Sequence, residues 1–414
     1  MTFESFHLHP HIEAGIQAIG YTLPTSIQLQ TIPSILKGRD VMGLAQTGTG
    51  KTAAFVLPIL QRLIDGRGKQ VCALILAPTR ELAEQIHEHT RQLGRFTQIK
   101  SVTIYGGVNK NPQIRELREG AQIAIACPGR LLDLMDQRAI DLSHVEVLVL
   151  DEADRMFDMG FLPDVRKIMR RLPVRRQTLL FSATMPNDIR DLAQEILHDP
   201  VTVQVGRGAP VSTVSHALYP VEKHLKTALL MKLLERTDTE SVLIFTRTKY
   251  RATRLAAQMK RAGFPVTSLQ GDLSQEKRRK AIGGFRTGTY QILVATDIAA
   301  RGLDVSRISH VINYDMPDTV DAYTHRIGRT GRATRTGDAF TLVTPEDRSL
   351  VWNIEHVLGE EMETRKIEGF DYTVPSPEGG AGFRRSGYPD IRKRTILYSS
   401  GRVRRPRSRV MERF

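Results

Sequence analysis

The chain has 414 residues, a formal net charge of +14 and 41% apolar residues. That length allows two domains of ordinary size, and the positive charge indicates a polyanionic partner. Its only cysteines, Cys72 and Cys127, exclude a disulfide framework and lack the neighbours of a zinc site, which favours a reducing, cytoplasmic setting. The chain does not open with a basic start and an apolar block, and no apolar run approaches roughly 18 residues. We therefore expect no signal peptide and no membrane partner.

Residues 1–40 contain one informative run, residues 20–28, which ends at Gln28. The amide of Gln28 can donate and accept hydrogen bonds, which suits it to the edge of an adenine. The ring of Tyr21 offers a face on which a base can stack. Taken alone, the same run is also an ordinary capped helix start, so both interpretations stay open at this point.

A glycine-rich loop follows a short apolar run and precedes an apolar helical segment, in the order strand, loop, helix. Such a loop turns backbone N–H groups towards a polyphosphate, and the next helix adds its positive end. Lys51 would reach the terminal phosphates, and the Thr52 hydroxyl would ligate Mg²⁺. The general pattern begins with Gly where this chain has Ala45, and a merely flexible loop is the alternative. The candidate nucleotide contacts are Ala45, Gln46, Thr47, Gly48, Thr49, Gly50, Lys51 and Thr52.

Short apolar runs then alternate with segments of helical periodicity, which predicts βαβ units and a parallel sheet covered on both faces. Ligands of such sheets gather at the carboxyl ends of the strands. The predicted strands of this half are residues 71–77, 102–105, 123–126, 145–150 and 178–181, and the clearest helices are residues 81–93 and 164–172.

Polar side chains stand at several of these strand ends. Asp151 directly follows a buried strand, where a hydrated Mg²⁺ would be held, and Glu152 is placed to polarise an attacking water. The turns at Thr79-Arg80, Gly106-Gly107 and Gly129-Arg130 each lead into a helix, so each can grip a phosphate. A single such turn is as well explained by a plain βα connection. Their recurrence favours a second, longer phosphate chain.

The pattern breaks near residues 198–220, which we interpret as a linker that has room for a short strand at its edges. The alternation then starts again without a second phosphate loop. The predicted strands of this half are residues 241–245, 266–269, 292–295, 310–314 and 339–343, and the predicted helices are residues 250–262 and 275–286. Arg326, Arg329 and Arg332 recur at three-residue spacing. Arginines delivered from a separate lobe suit a γ-phosphate transition state, and a solvated basic helix face is the alternative.

The last stretch of the chain is Gly-, Ser- and Arg-rich. Residues 381–414 hold eleven Lys or Arg against two acids, and so carry about nine of the fourteen net positive charges. We expect this tail to be disordered and to bind nucleic acid with little sequence preference.

These motifs, in this order, resemble those of the DEAD-box ATP-dependent RNA helicases of superfamily 2, over roughly residues 1–365. The residues that carry the resemblance are Gln28, 45–52, 78–83, the Asp151-Glu152-Ala153-Asp154 run, Ser182-Ala183-Thr184, 295–304 and 325–332. The compact body and basic tail look most like the bacterial RhlE-like branch. One departure is visible, because Cys127 stands where the family usually has Thr before Pro-Gly-Arg.

The resemblance implies an α/β fold with two tandem RecA-like domains, each a parallel sheet flanked by helices, and a basic disordered C-terminal tail. The implied segments are an adenine-recognition segment at 1–40, the first domain at 41–205, a linker at 206–220, the second domain at 221–370 and the tail at 371–414. ATP and Mg²⁺ are the implied cofactors, bound in the cleft between the lobes, with RNA across both lobes on the opposite side.

The resemblance also implies residue roles. Phe3 stands where the family has an isolated upstream aromatic. Tyr21 would stack on adenine and Gln28 would select it, while Gly302 and Asp304 would approach the nucleotide from the second lobe. Arg329 and Arg332 would be arginine fingers, linked by His325 to the acids of the first lobe. Ser182 and Thr184 would couple hydrolysis to strand separation. The implied RNA contacts are Thr79, Arg80, Gly107, Gly129, Arg130, Arg247, Gln270, Gly271, Asp272 and Thr296.

The expected activity is RNA-stimulated ATP hydrolysis coupled to local unwinding of short duplexes or to remodelling of RNA–protein complexes. The expected setting is a cytoplasmic monomer acting on RNA, with ribosomal particles or RNA-decay proteins as partners. Two alternatives remain. A DNA-directed helicase or translocase would respond to DNA, and a non-enzymatic RNA clamp would function without Glu152.

Overall fold

The computed structural model describes residues 2–45, 48–66, 68–205, 214–237, 240–300, 308–330, 337–359 and 361–375. Residues 1–372 form one compact unit. In the described part of this unit the strands form two seven-stranded sheets, and every strand pairing in them is parallel. A search of the described helices finds none with the length and apolar character needed to cross a membrane.

The first sheet belongs to the N-terminal lobe. Its strands are β1 Val41–Leu44, β2 Ala73–Leu76, β3 Ser101–Ile104, β4 Ile123–Ala126, β5 Val147–Leu150, β6 Gln177–Ser182 and β7 Val201–Gln204. They are ordered β3-β4-β2-β5-β6-β1-β7 across the sheet. Side chains of β2, β4 and β5 are buried on both faces, as expected for a parallel sheet covered by helices.

Nine helices of the described chain cover this sheet. They are α1 Pro10–Ala18, α2 Ser26–Leu36, α3 Lys51–Leu63, α4 Arg80–Leu93, α5 Asn111–Arg118, α6 Pro128–Asp136, α7 Ala153–Asp158, α8 Leu162–Met169 and α9 Asn187–Ile196, preceded by a 3₁₀ turn at Phe3–Phe6. Two apolar cores form, one on each face of the sheet. The buried carboxylate of Asp40 accepts the N–H groups of Thr178 and His198, both at 2.8 Å, and so fixes the start of β1.

The second sheet repeats the plan in the C-terminal lobe. Its strands are β8 Val214–Pro220, β9 Val242–Phe245, β10 Val266–Leu269, β11 Ile292–Ala295, β12 His310–Asn313, β13 Gly337–Val343 and β14 Glu363–Thr364, in the order β10-β11-β9-β12-β13-β8-β14. The helices are α10 Lys226–Arg236, α11 Lys249–Arg261, α12 Gln275–Arg286, α13 Asp297–Ala300, α14 Val320–Ile327 and α15 Arg348–Leu358, with a 3₁₀ turn at Pro345–Asp347.

The predicted architecture of two parallel sheets flanked by helices is confirmed, and the predicted strands differ from the observed ones only at their ends. The observed linker region differs from the predicted one. Val214–Pro220 forms β8 and pairs with β13 along its whole length, although we placed it in the linker at 206–220. Its Ser and His interrupt the apolar run and Pro220 ends it, so its sequence lacks a strand pattern. The short strand β7 lies at the N-terminal edge of the region 198–220, where we left room for a short strand. Residues 206–213 and 376–414 lie outside the described residues, so the linker core and the tail stay predictions.

Candidate active site

The phosphate loop runs between β1 and α3, as predicted from the sequence. Lys51 is the first residue of α3, and its buried ammonium donates a hydrogen bond to the Ala45 carbonyl at 2.9 Å. Gly50 precedes the helix with φ 94°, a left-handed conformation that glycine adopts without strain. The ammonium is therefore held over the loop, next to the positive end of α3. Gln46 and Thr47 lie outside the described residues.

The amide of Gln28 is buried against the same loop. Its Oε1 accepts the Thr25 N–H at 2.9 Å as part of a capping box, and its Nε2 donates to the Gly50 carbonyl at 3.0 Å. A Cβ on Gly50 would lie 2.6 Å from this Nε2, so the close approach requires glycine. An amide has two N–H groups and two acceptor lone pairs. One N–H group and one lone pair of the Gln28 amide therefore remain for a ligand. The two interpretations of Gln28, as a helix cap and as a residue that reads a base, are compatible.

Tyr21 is fixed beside the loop by two contacts. Its ring stacks on Phe3, with centroids 6.2 Å apart and an interplanar angle of 19°, and its hydroxyl lies 2.8 Å from Nε2 of His89 on α4. Phe3 and His89 thus support the Tyr21 ring, which was predicted to stack on a base. His89 was not predicted, because nothing in its local sequence distinguishes it from a surface helix residue.

Acidic side chains follow β5. Asp151 is only 2% exposed, and burial raises the pKa of its carboxyl to about 6, against the opposing effect of the nearby Lys51 ammonium. Glu152 adopts a left-handed backbone, with φ 53°, which turns the chain into α7. Its carboxylate pairs with the buried guanidinium of Arg155. Sequence reasoning missed Arg155, although an arginine one helical turn after a candidate water-polarising acid was a usable signal.

A hydrogen-bond network joins the end of β5 to the end of β6. Oδ2 of Asp154 accepts the N–H groups of Ala183 and Thr184 at 3.1 and 2.9 Å, and the Thr184 hydroxyl at 3.1 Å. The Ser182 hydroxyl accepts the Asp154 N–H at 3.2 Å and donates to the Thr184 carbonyl at 2.7 Å. The structure therefore brings together Ser182 and Thr184, which were predicted to act as a pair, and adds Asp154 as the residue that links them.

A cavity of about 770 Å³ opens in front of the phosphate loop. Its walls include Lys51, Thr52, Asp151 and Glu152, and its far side is formed by α12 of the second lobe. The facing helices are oppositely charged. The acids on α4 are Glu81, Glu84 and Glu88, and the bases on α12 are Arg278, Arg279 and Arg286. No feature of the sequence had assigned α12 to the cavity.

Two contacts join the lobes at this place. Arg278 forms an ion pair with Glu81, with Nη2 and Nε 2.6 and 2.7 Å from Oε1, and these side chains are only 12% and 10% exposed. Nη1 of Arg80 donates to Oε1 of Gln275 at 3.1 Å. Both contacts connect the first turn of α4 to α12, so this helix start is where the two lobes meet.

The predicted RNA contacts of the first lobe lie at the ends of the neighbouring strands β2, β3 and β4. Thr79 caps α4 by accepting the Leu82 N–H at 3.3 Å, and Gly107, with φ 76°, lies so close to the Arg80 guanidinium that a Cβ would be 2.4 Å away. Arg130 donates to the Val108 carbonyl at 3.1 Å, in the first turn of α6 that also contains Gly129. Cys127 caps α6 without a side-chain hydrogen bond.

The predicted RNA contacts of the second lobe occupy the matching strand ends. Arg247 follows β9, residues 270–272 follow β10, and Thr296 follows β11. Within these turns Gln270 Oε1 accepts the Asp272 N–H at 2.6 Å, and Asp272 forms an exposed ion pair with Lys249 at 2.7 Å. Each lobe therefore presents its predicted contacts at the carboxyl edge of three adjacent strands.

The arginines near α14 differ in their surroundings. Arg326 is 2% exposed and binds both carboxylate oxygens of Asp297, at 2.6 and 2.7 Å, with further bonds to Asn313 and to the Asp315 carbonyl. It is therefore an interior residue of the second lobe and not part of a solvated basic face. Arg329 is buried, and among the described residues neither it nor His325 lines the large cavity. Gly302, Asp304 and Arg332 lie outside the described residues.

Comparisons with known proteins agree with this site. The family models described as DEAD/DEAH box helicase and as helicase conserved C-terminal domain match residues 25–192 and 225–334. The chain is 42% identical over 400 residues to the ATP-dependent RNA helicase DeaD of Mycobacterium tuberculosis, which covers 93% of this chain and 70% of that protein. It is 46% identical over 351 residues to the RNA helicase CrhR of Synechocystis, covering 84% and 71% of the two chains.

Among solved structures, that of Saccharomyces cerevisiae Dbp5 bound to RNA and ADP BeF3 is similar, with a TM-score of 0.80 and 33% identity over 88% of this chain and 95% of that one. The predicted branch within the family stays a prediction. Both family models, the relatives and the two-sheet fold agree, and the chain belongs to the DEAD-box ATP-dependent RNA helicases.

Proposed function

We propose that this DEAD-box helicase hydrolyses ATP when RNA bridges its two lobes, and that closure of the lobes opens short RNA duplexes. The observation that carries the proposal is the pair of contacts between α4 and α12, Arg278–Glu81 and Arg80–Gln275. They stand between the cavity at the phosphate loop and the strand ends that hold the predicted RNA contacts. A ligand in either place therefore acts on the same joint between the lobes.

The cavity suits a purine triphosphate. Lys51 and the loop from Ala45 to Thr52 would hold the phosphates, Gln28 would read the adenine with its remaining donor and acceptor, and Tyr21 would stack on the base. The donor set also fits Mg²⁺, since Asp151 is a buried carboxylate beside the Thr52 helix turn. No group of three metal-ligating side chains occurs in the described residues, as expected where phosphates supply most of the oxygens.

Mg²⁺ would be held by Thr52 and, through water, by Asp151, and it would neutralise phosphate charge. The residues of the chain then supply the rest of the chemistry. Glu152 would orient and polarise the attacking water, and Arg155 would hold its carboxylate in place. Arg329 and Arg332 would stabilise the charge on the γ-phosphate, His325 would link them to the acids, and Gly302 and Asp304 would contact the nucleotide.

The network of Asp154, Ser182 and Thr184 would connect this chemistry to the RNA. It joins the loop that carries Glu152 to the end of β6. A change in the position of Glu152 would therefore reach Ser182 and Thr184 through the hydrogen bonds of Asp154. Closure would hold one RNA strand in a bent form. Stacking is worth about 1.4 kcal/mol per base-pair step by DNA values, so a few broken pairs release a short duplex.

The cellular setting is part of the proposal. We infer a cytoplasmic monomer that acts on structured RNA, with ribosome assembly or RNA turnover as the process and ribosomal particles or RNA-decay proteins as partners. The abundance of basic residues after residue 380 supports an RNA partner, because a cationic segment binds a phosphate backbone without reading its sequence.

The test is an ATPase assay of the full chain with single-stranded RNA, single-stranded DNA or no nucleic acid. We expect RNA alone to stimulate turnover, since contacts to 2′-hydroxyl groups distinguish RNA from DNA. Equal stimulation by DNA would favour the DNA-directed alternative.

A Glu152→Gln variant separates the enzyme from the clamp. We expect kcat to fall by about 10²- to 10⁴-fold, because the variant removes a general base and leaves the nucleotide contacts in place. The matched control is Glu146→Gln, which changes an acid before β5, away from the cavity-lining residues. Full function of the Glu152 variant in cells would favour the non-enzymatic clamp.

A further inference from the structure

The two sheets have the same strand order, and each strand of the second sheet corresponds to the strand of the first whose number is lower by seven. Strand β8 therefore corresponds to β1, and α10 after β8 corresponds to α3 after the phosphate loop. Lys226 is the first residue of α10, as Lys51 is of α3, and both ammonium groups are buried. Lys226 donates to the Tyr314 and Leu342 carbonyls, each at 3.0 Å.

A cavity of about 280 Å³ lies at this corresponding place in the second lobe. Its charged lining is mostly basic. The bases are Lys223, Lys226, Arg247, Arg251 and Arg254, and the acids are Asp315, Glu346 and Asp347. The surplus of positive charge in one small cavity indicates an anionic ligand.

Two of the acids are already engaged by the protein. Asp315 pairs with Arg251 and accepts the Arg247 N–H at 2.9 Å. Asp347 accepts the N–H and the hydroxyl of Thr344, at 2.9 and 2.7 Å, and lies 4.0 Å from the Lys226 ammonium. These acids and Glu346 offset part of the positive charge, and the five bases still outnumber the three acids of the lining.

Arg247 forms an exposed ion pair with Asp318 at 3.2 Å, which leaves two bases of the lining to consider. Lys223 and Arg254 are exposed, and no carboxylate of the described residues lies within ion-pair distance of either. Burial lowers the pKa of Lys226, and the charges of Arg251 and Arg247 lower it further against the opposing effect of Asp315 and Asp347. An anion placed among these groups would relieve that repulsion.

The size and the loop exclude a second ATP site. The connection from β8 to α10 is only residues 221–225, Val-Glu-Lys-His-Leu, without a glycine to let the backbone wrap a triphosphate. The volume is below the range of about 300–1,000 Å³ usual for small-molecule pockets. It accommodates one phosphate group with its water shell.

RNA is the source of phosphate that the surroundings favour. Arg247, one of the predicted RNA contacts, lines this cavity, so the cavity continues the edge at which those contacts stand. Tyr250 is 75% exposed and lies one helical turn before Arg254 on α11. An exposed aromatic ring next to a cationic pocket is the usual platform for an unpaired base.

We propose that this pocket binds a backbone phosphate of the RNA strand beyond Arg247, with Lys223 and Arg254 as its ligands and Tyr250 stacked on the adjacent base. The proposal rests on the RNA-binding function proposed above. It adds a subsite that lengthens the RNA track of the second lobe.

The test uses the full chain and measures how its affinity for single-stranded RNA depends on salt. In a Lys223→Gln/Arg254→Gln variant we expect the slope of log K against log salt to fall by about 0.7, the value for one phosphate on a single strand. The matched control is Lys260→Gln/Arg261→Gln, which removes two charges from the other end of α11 and should keep the wild-type slope.

A conservative variant and a ring deletion sharpen the result. Lys223→Arg/Arg254→Lys should keep the slope. Tyr250→Ala should weaken binding by about 5- to 150-fold, the range for loss of one stacked base, while Tyr250→Phe should bind as the wild type does. Thermal unfolding of each variant shows whether the second lobe is intact.

Three outcomes overturn the subsite. One is an unchanged slope in the Lys223/Arg254 variant, and another is an equal loss in the Lys260/Arg261 control. The third is that the wild type binds pyrophosphate and the Lys223/Arg254 variant does not, while the salt slope of RNA binding is the same for both. The ligand of the pocket would then be a free phosphate and not RNA. Failure of the proposed function would appear differently, as wild-type protein whose ATPase does not respond to RNA.

Discussion

The ion pair between Glu81 and Arg278 gives the sharpest prediction about closure of the two lobes. It joins residues on α4 and α12 that are nearly 200 positions apart, and both side chains are almost excluded from water. Two unit charges about 4 Å apart attract by about 4 kcal/mol at an effective dielectric of 20. Desolvation offsets part of that attraction, so we expect a net coupling of about 1–3 kcal/mol between the two side chains.

The perturbation is a double-mutant cycle with Glu81→Gln, Arg278→Gln and the double variant. Each single variant leaves one buried charge without its partner, so each should lower kcat/KM for RNA in the ATPase assay by about 10-fold or more. The loss of kcat/KM in the double variant should be about 5- to 150-fold smaller than the product of the losses in the two single variants. Glu195→Gln is the control, since its 2.9 Å pair with Arg166 lies on the surface within the first lobe and should contribute less than about 1 kcal/mol.

Energy transfer between dyes on the two lobes measures the closure directly. Cysteines introduced at exposed positions will react first, because Cys72 is buried and burial raises the pKa of the Cys127 thiol to about 12. With ATP and RNA, the wild type should show closed lobes and the single variants a smaller closed fraction. Strictly multiplicative losses in the cycle, or equal closure in every variant, would refute the coupling that we derive from this contact.

Three further predictions concern the nucleotide, the coupling network and the tail. Gln28→Ala should raise the KM for ATP by about 5- to 150-fold, because it removes the two hydrogen bonds that Gln28 would make to the adenine, and it should erase a preference for ATP over GTP. An unchanged ratio of ATP to GTP hydrolysis would show that Gln28 serves only as a helix cap through its bonds to Thr25 and Gly50. A Ser182→Ala/Thr184→Ala variant should keep much of its RNA-stimulated ATPase and lose duplex unwinding, and a parallel loss of both would mean that the pair acts in hydrolysis itself. Deletion of residues 376–414 should weaken RNA binding and flatten its salt dependence, whereas an unchanged slope would mean that the tail does not contact RNA.

The parts of the site that the sequence predicted well are those encoded by neighbouring residues. A phosphate loop is recognisable because Gly50, Lys51 and Thr52 must stand in that order between a strand and a helix. The acid at the end of β5 is recognisable for the same reason, since a buried strand followed at once by Asp151 leaves the carboxylate at the ligand edge of the sheet.

The parts that the sequence did not predict depend on contacts between distant segments. Glu81 and Arg278 each look like an ordinary surface charge on an amphipathic helix, and only the folded chain pairs them. Arg326 belongs to the same three-residue repeat as Arg329, but it is bonded to Asp297 inside the second lobe. The repeat alone does not show which of its arginines point into the lobe. Most of strand β8 was assigned to the linker, because its place between β13 and β14 supplies the pattern that its own residues lack.

Helix α4 explains why nucleotide and RNA should influence each other in this protein. Thr79 and Arg80 begin it at the predicted RNA contacts, Glu81 binds α12, and His89 holds Tyr21 beside the phosphate loop. His89 lies nine positions after Arg80 in the helix, which is about 14 Å at 1.5 Å per residue. A helix packed against the sheet moves as a rigid body over that length, so it cannot shift at the RNA end without shifting at the nucleotide end. Coupling between the two ligands then requires no change in the sheet itself, only a small displacement of one helix that both ligands are predicted to contact.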